Sequence, residues 1–125
     1  MTLNVMLIDD HPVVRAGLRA VLNSFDGVEV VAEAADGNAE VPDGVDVVVS
    51  DIQMPGASGI ELTRRLVQAG GPPVLILTTY DTQADVVAAV EAGAMGYLLK
   101  DAPEDELHDA VVQASKRTRV LSPQV

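Results

Sequence analysis

Five short apolar runs alternate with helix-like segments along this 125-residue chain, and that alternation limits its fold more than any other feature. The runs cover residues 5–8, 28–32, 47–49, 74–77 and 95–99. Val47 to Val49 and Val74 to Leu77 are unbroken and β-branched or leucine-rich, which is how strands buried on both faces read. Between the runs the spacing changes from strand-like to helical. Pro12, suited to a first helical turn, opens a segment that sets Val14, Leu18, Val21 and Leu22 on one face. Ser58-Gly59-Ile60-Glu61 is a capping-box pattern whose helix runs to about Ala69 and stops at Gly70-Gly71. Residues 81–92 are rich in alanine and valine, with Val86, Val87 and Val90 on one side and Gly93 as a natural C-cap. Pro103 starts a last helix with Leu107, Ala110, Val111 and Ala114 on its apolar face. Acids fill its first turn and Lys116 and Arg117 lie near its end, as the macrodipole favours. Residues 36–44 hold two glycines and a proline, so a second helix, between the second and third strands, is short or absent.

Parallel strands need right-handed crossovers of helical length. The economical solution is an α/β fold with a five-stranded parallel sheet, helices on both faces, in the flavodoxin-like order 2-1-3-4-5. The length suits one domain with a single core, and no stretch is long enough to span a membrane. Asp9 and Asp10 interrupt the first apolar run, so the N-terminus does not read as a signal peptide, and the expected location is cytoplasmic. The absence of cysteine excludes disulfides, a thiolate nucleophile and a zinc-thiolate site; two histidines far apart disfavour a histidine cage, so any metal should be oxygen-ligated. A net charge of -11 opposes direct binding to nucleic-acid phosphates by these residues.

Chemistry gathers where the strands stop. In a parallel sheet all strand ends share one edge, so Asp9, Asp10, Asp51, Thr78 and Lys100 should converge there. Asp51 taken alone also suits a turn or a helix cap, because aspartate makes local backbone hydrogen bonds. Three acids at one place repel each other without a cation, and with no soft ligands present Mg2+ is the candidate. A carboxylate can attack phosphorus while a metal, a lysine and a hydroxyl stabilise the phosphoryl oxygens, so the site suits an acyl phosphate on Asp51.

Asp9-Asp10, the segment Asp51-Ile52-Gln53-Met54-Pro55-Gly56 with Gly59, then Thr78, Gly93-Ala94 and Gly96-Tyr97-Leu98-Leu99-Lys100 together resemble bacterial response-regulator receiver domains along essentially the whole chain. The resemblance implies a CheY-like fold in which Asp51 takes a phosphoryl group from a sensor histidine kinase. It implies Mg2+ held by Asp10, Asp51 and the backbone carbonyl of Gln53, with Asp9 helping through water. Thr78 and Lys100 would contact the phosphoryl group, and Tyr97 would be an aromatic switch that turns inward; an amphipathic tyrosine at a strand end is the alternative for that residue alone. Asp10-His11-Pro12 through Leu18, Leu99-Lys100-Asp101-Ala102 and Leu121-Ser122-Pro123 further resemble the NarL/FixJ-type subgroup, transcription regulators with a C-terminal helix-turn-helix domain. On that basis residues 1–119 form the receiver and 120–125 start a linker to an output domain. DNA contact only through that output domain, and a phosphorylation-dependent homodimer, are then what the resemblance implies, with a sensor histidine kinase as the partner. Helix one with the last helix, or the helix of residues 81–92 with strand five, are the open dimer surfaces.

His11 reads as a polar residue at a helix start rather than a catalytic group. Many receivers carry a proline after the lysine, often with a cis bond, whereas Asp101 stands here and a trans bond is expected. The chain is not expected to be a turnover enzyme beyond its own phosphoryl transfer and dephosphorylation. The two other readings are an aspartate-nucleophile phosphatase of the haloacid dehalogenase kind and a degenerate receiver used only for interaction. The first needs a second acid two residues after the nucleophile, where Gln53 stands; the second is disfavoured because every acid, hydroxyl and lysine position is filled.

Overall fold

A computed structural model describes residues 2–79, 83–118 and 120–121. Five parallel strands, β1 (Leu3–Ile8), β2 (Val28–Ala34), β3 (Val47–Asp51), β4 (Val74–Thr78) and β5 (Gly96–Leu99), run in the order β2-β1-β3-β4-β5, as the alternation predicts. A two-residue strand β6 (Val120–Leu121) adds beside β5, pairing Gly96 with Val120 and Tyr97 with Leu121. This is where the sequence suggested the start of a linker; the Ser122-Pro123 part of that motif lies outside the described residues.

Among the described residues four helices cover the sheet: α1 (Pro12–Ser24), α2 (Gly59–Ala69), α3 (Gln83–Ala92) and α4 (Glu104–Ser115). Strand residues alternate between two cores. Val5, Leu7, Val47, Val49, Leu75, Leu77 and Leu98 pack with α1 and α4, while Met6, Ile8, Val48, Val74, Ile76 and Tyr97 pack with α2 and α3. Fully burying a leucine or isoleucine contributes about 1.5–3 kcal/mol, so both faces are needed to hold so short a chain.

The local signals act as expected in most places. Ser58 Oγ accepts from the Glu61 amide at 3.1 Å, Gly70 closes α2 in the left-handed conformation, and Gly93 follows α3 with φ +98°. All peptide bonds among the described residues are trans, including the one after Lys100. One open alternative is settled and one expectation needs correction. The second helix, expected to be short or absent, is absent: residues 35–46 are turns and irregular chain that still send Ala39, Val41 and Val45 into the core. The apolar face of α3 is also rotated: Ala89 and Ala92 are buried and Val86 packs against the core, but Val87 and Val90 are exposed. Small side chains let α3 approach its neighbours, and with alanine or valine at seven of its ten positions the apolar spacing does not single out one face.

Gly59 fixes where the loop after β3 can go. Its amide donates to the Ile52 carbonyl at 2.9 Å, and a Cβ there would fall inside contact distance of the Asp51 carbonyl oxygen, which is backbone and cannot step aside. Gly17, in the exposed middle of α1, has nothing near its would-be Cβ. Gly59→Ala should therefore destabilise by about 2 kcal/mol or more, as overpacking does, whereas Gly17→Ala should stabilise by about 0.5–1 kcal/mol through helix propensity. Urea unfolding of both variants checks the contrast; equal effects would break the assignment of Gly59 to close packing.

Candidate phosphoacceptor and metal site

The expected residues meet at the carboxyl edge of the sheet. Asp9 follows β1 and is 1% exposed, Asp51 ends β3 at 8%, and Thr78 ends β4 at 3%. Lys100 follows β5, where its amide donates to the Thr78 carbonyl at 2.8 Å and so aims the side chain across the strand ends. Its ammonium donates to Asp9 Oδ2 at 2.7 Å and to Asp51 Oδ2 at 3.2 Å. Charge-assisted N–H···O bonds are usually about 2.7–2.9 Å, so the lysine is held by Asp9 and grips Asp51 more loosely. Asp51 Oδ1 accepts from the Ile52 amide at 2.8 Å, and Asp9 Oδ1 accepts from the His11 amide at 2.9 Å.

Asp10 behaves differently. Its Oδ1 is buried and accepts no hydrogen bond; His11 Nδ1 comes to 3.1 Å but without hydrogen-bond geometry. One ligand atom from each of Asp9, Asp10, His11 and Asp51 can be chosen so that all lie within 4.8 Å of one another. Three carboxylates against one ammonium leave two formal negative charges at the cluster. A divalent cation fits both the charge and the orphaned oxygen, and the oxygen-rich donor set suits Mg2+.

A cavity of about 250 Å³ opens onto Asp51 and is lined by His11, Ile52, Gln53, Thr78, Thr79 and Asp85. Gln53 is thus at the site, as expected, and so is Thr78. Tyr97 is 1% exposed and packed into the α2–α3 core, already inward. Residues 80–82, between Thr79 and α3, lie outside the described residues.

Several participants had no sequence signal. Arg15 donates to the Asp9 carbonyl at 2.7 Å and pairs with Glu33 of β2 at 3.3 Å, while Arg19 reaches the same glutamate at 2.8 Å. These contacts clamp α1 to the strand beside the acids. Ser50 Oγ donates to the Asp51 carbonyl at 2.8 Å. Asp85 was visible only as an acid in the first turn of α3. His11 does occupy the α1 N-cap, but its side chain makes no capping bond and turns to the acids instead.

The Lys100 ammonium is held above its ordinary range. Burial pulls its pKa down, but the hydrogen bond to Asp9 and the charges of Asp51 and Asp9 outweigh that. A raised folded value means the stabilisation is complete below the unfolded value of 10.5 and is lost as pH rises through the folded one. Lys100→Met, which leaves two carboxylates without their shared donor, should cost about 1–3 kcal/mol at neutral pH, towards the lower end where solvent screens the ammonium. Urea midpoints of wild type and variant should stay separated up to pH 10.5 and converge above it; a gap that closes instead on going acidic would refute the pairing.

Residues 5–112 match the family model of the response regulator receiver domain. The nitrate/nitrite response regulator NarP of Escherichia coli is 40% identical over 97% of this chain and 59% of its own length. Among solved structures, response regulator ChrA of a heme-sensing two-component system is 69% identical with a TM-score of 0.91, over 98% of this chain and 61% of that one. A LuxR-family response regulator from Aurantimonas is 39% identical with a TM-score of 0.91, over 99% of this chain and 92% of that one. The chain therefore spans about three fifths of NarP, whose match covers 59% of its length.

Proposed function

Because this chain belongs to the response regulator receiver family, of the NarL/FixJ type, we propose that Asp51 accepts a phosphoryl group from a phosphohistidine of a sensor histidine kinase. The observation that carries the reading is the Lys100 ammonium bridging Asp9 and Asp51 beside an orphaned Asp10 oxygen. An Asp51 carboxylate oxygen attacks phosphorus, and the P–N bond breaks with its electron pair left on the imidazole. With acetyl phosphate the P–O bond breaks and acetate leaves. Lys100 follows charge from the Asp51 carboxylate to the new phosphoryl oxygens, which its loose 3.2 Å contact permits, and the Thr78 hydroxyl donates to one of them. Mg2+, when held by Asp10, Asp51 and the Gln53 backbone carbonyl with Asp9 acting through water, offsets the negative charge on the phosphoryl oxygens. The same residues later admit water for dephosphorylation, and no external substrate is turned over.

The switch runs from Thr78 towards Tyr97. A phosphoryl group that engages Thr78 favours the state in which Tyr97 stays packed inward, and the shift is limited to the difference in contact free energy between the two states. The output is DNA binding by an attached helix-turn-helix domain, with phosphorylation changing a homodimer surface, in the cytoplasm. No helix among the described residues is long and apolar enough to cross a membrane. The 69% identity to ChrA makes the kinase of a heme-responsive system the first partner to test.

Acetyl phosphate with Mg2+ should label wild-type protein once, by intact mass, and Asp51→Asn should abolish labelling with the fold intact. Labelling that moves to Asp9 or Asp10 would exclude Asp51 as nucleophile, and steady turnover of small phosphate esters would favour the phosphatase reading. Thr78→Ala should still be labelled but lose most of the phosphorylation-dependent protection from hydrogen exchange in residues 83–99. Full wild-type protection in that variant rules out the Thr78 route.

A further inference from the structure

Sequence reasoning pointed to an all-oxygen metal site, but the fold brings a nitrogen into it. His11 Nδ1 stands 3.1 Å from Asp10 Oδ1 and 3.5 Å from Asp9 Oδ1, and the ring lines the same cavity as Asp51. The short approach to Asp10 does not satisfy either atom as a hydrogen bond, since Oδ1 accepts none. That separation suits neighbouring ligands: on an octahedral ion with bonds of about 2.1 Å, adjacent donor atoms are about 3.0 Å apart. The imidazole is also free of the alternative duty its position offers, because it caps nothing in α1.

We infer that His11 is a further ligand of this metal site, ranged beside Asp10, and that it fits the site for borderline divalent ions such as Ni2+, Co2+ or Zn2+ as well as for Mg2+. Imidazole nitrogen is a preferred donor for those ions and a poor one for Mg2+, so one side chain sets the preference. The inference rests on the receiver reading of the acid cluster as a metal site, and it concerns which ion the site selects rather than the phosphoryl chemistry.

The test compares Ni2+ and Mg2+ affinities, measured by calorimetry on wild type, His11→Ala and Asp10→Asn. The other histidine, His108, lies tilted against Phe25 with ring centroids 4.8 Å apart, and His108→Ala serves as the control for binding elsewhere. His11→Ala should lower the ratio of Ni2+ to Mg2+ affinity by about tenfold or more, Asp10→Asn should weaken both ions, and His108→Ala should leave the ratio unchanged. A ratio that stays at the wild-type value in His11→Ala overturns the inference, as does Ni2+ binding that survives Asp10→Asn. Labelling of wild-type protein by acetyl phosphate with Mg2+ tests the receiver reading separately, so a failed ion preference and a failed receiver assignment give different results.

Discussion

The bridge from Lys100 to Asp9 and Asp51 is the contact on which the remaining geometry depends. Two carboxylates this buried would not share a strand edge without a counter-charge, because desolvation penalises each and their mutual repulsion adds to it. The lysine arrives from the last of the five long strands, so the bridge closes only when the sheet is complete from β1 to β5. Its unequal arms matter as well. A short bond to Asp9 anchors the ammonium while the longer one leaves Asp51 the more available acid.

Around that bridge the chain is built to leave little slack. The β3 strand is buried along its whole length, and the close approach of Gly59 to the Asp51 carbonyl brings the following loop back over the strand end. Gly37 does the same from the other side: its amide donates to the Ala57 carbonyl at 3.0 Å, and a Cβ there would meet backbone oxygens at 2.7 and 2.9 Å. Two glycines thus set the path of residues 52–58, which carry Gln53. Arg15 and Arg19 hold the other wall by tying α1 to Glu33.

How much of this was legible follows from which rule each feature obeys. The strand order and the convergence of Asp9, Asp10, Asp51, Thr78 and Lys100 follow from two regularities: short apolar runs alternating with helical segments, and right-handed parallel crossovers. Neither depends on side-chain detail. The buried side of α3 was misassigned because valines and alanines surround it, and packing against its neighbours decided between them. Strand β6 was missed since two residues carry no periodicity. The Arg15–Glu33 clamp and the turn of His11 towards the acids rest on spatial proximity that no spacing rule encodes. Helix capping was legible at Ser58, where side chain and partner lie three residues apart, and misleading at His11, where the N-cap position is filled by a residue that does not cap.

The missing helix has a consequence for motion. Between Ala39 and Asp46 the irregular segment is tied mainly at its ends, by Arg65 to the Ala39 carbonyl at 2.6 Å and by the Asp46 amide to the Asn4 carbonyl at 2.8 Å. A segment with few backbone bonds and three modest apolar anchors opens locally at far less cost than the sheet it covers. Its near end is stitched through Gly37 to Ala57, in the loop that also carries Gln53. The irregular segment is therefore fastened, through Gly37 and Ala57, to the loop that forms one wall of the site, and a local opening of residues 39–46 reaches that wall before it reaches the sheet.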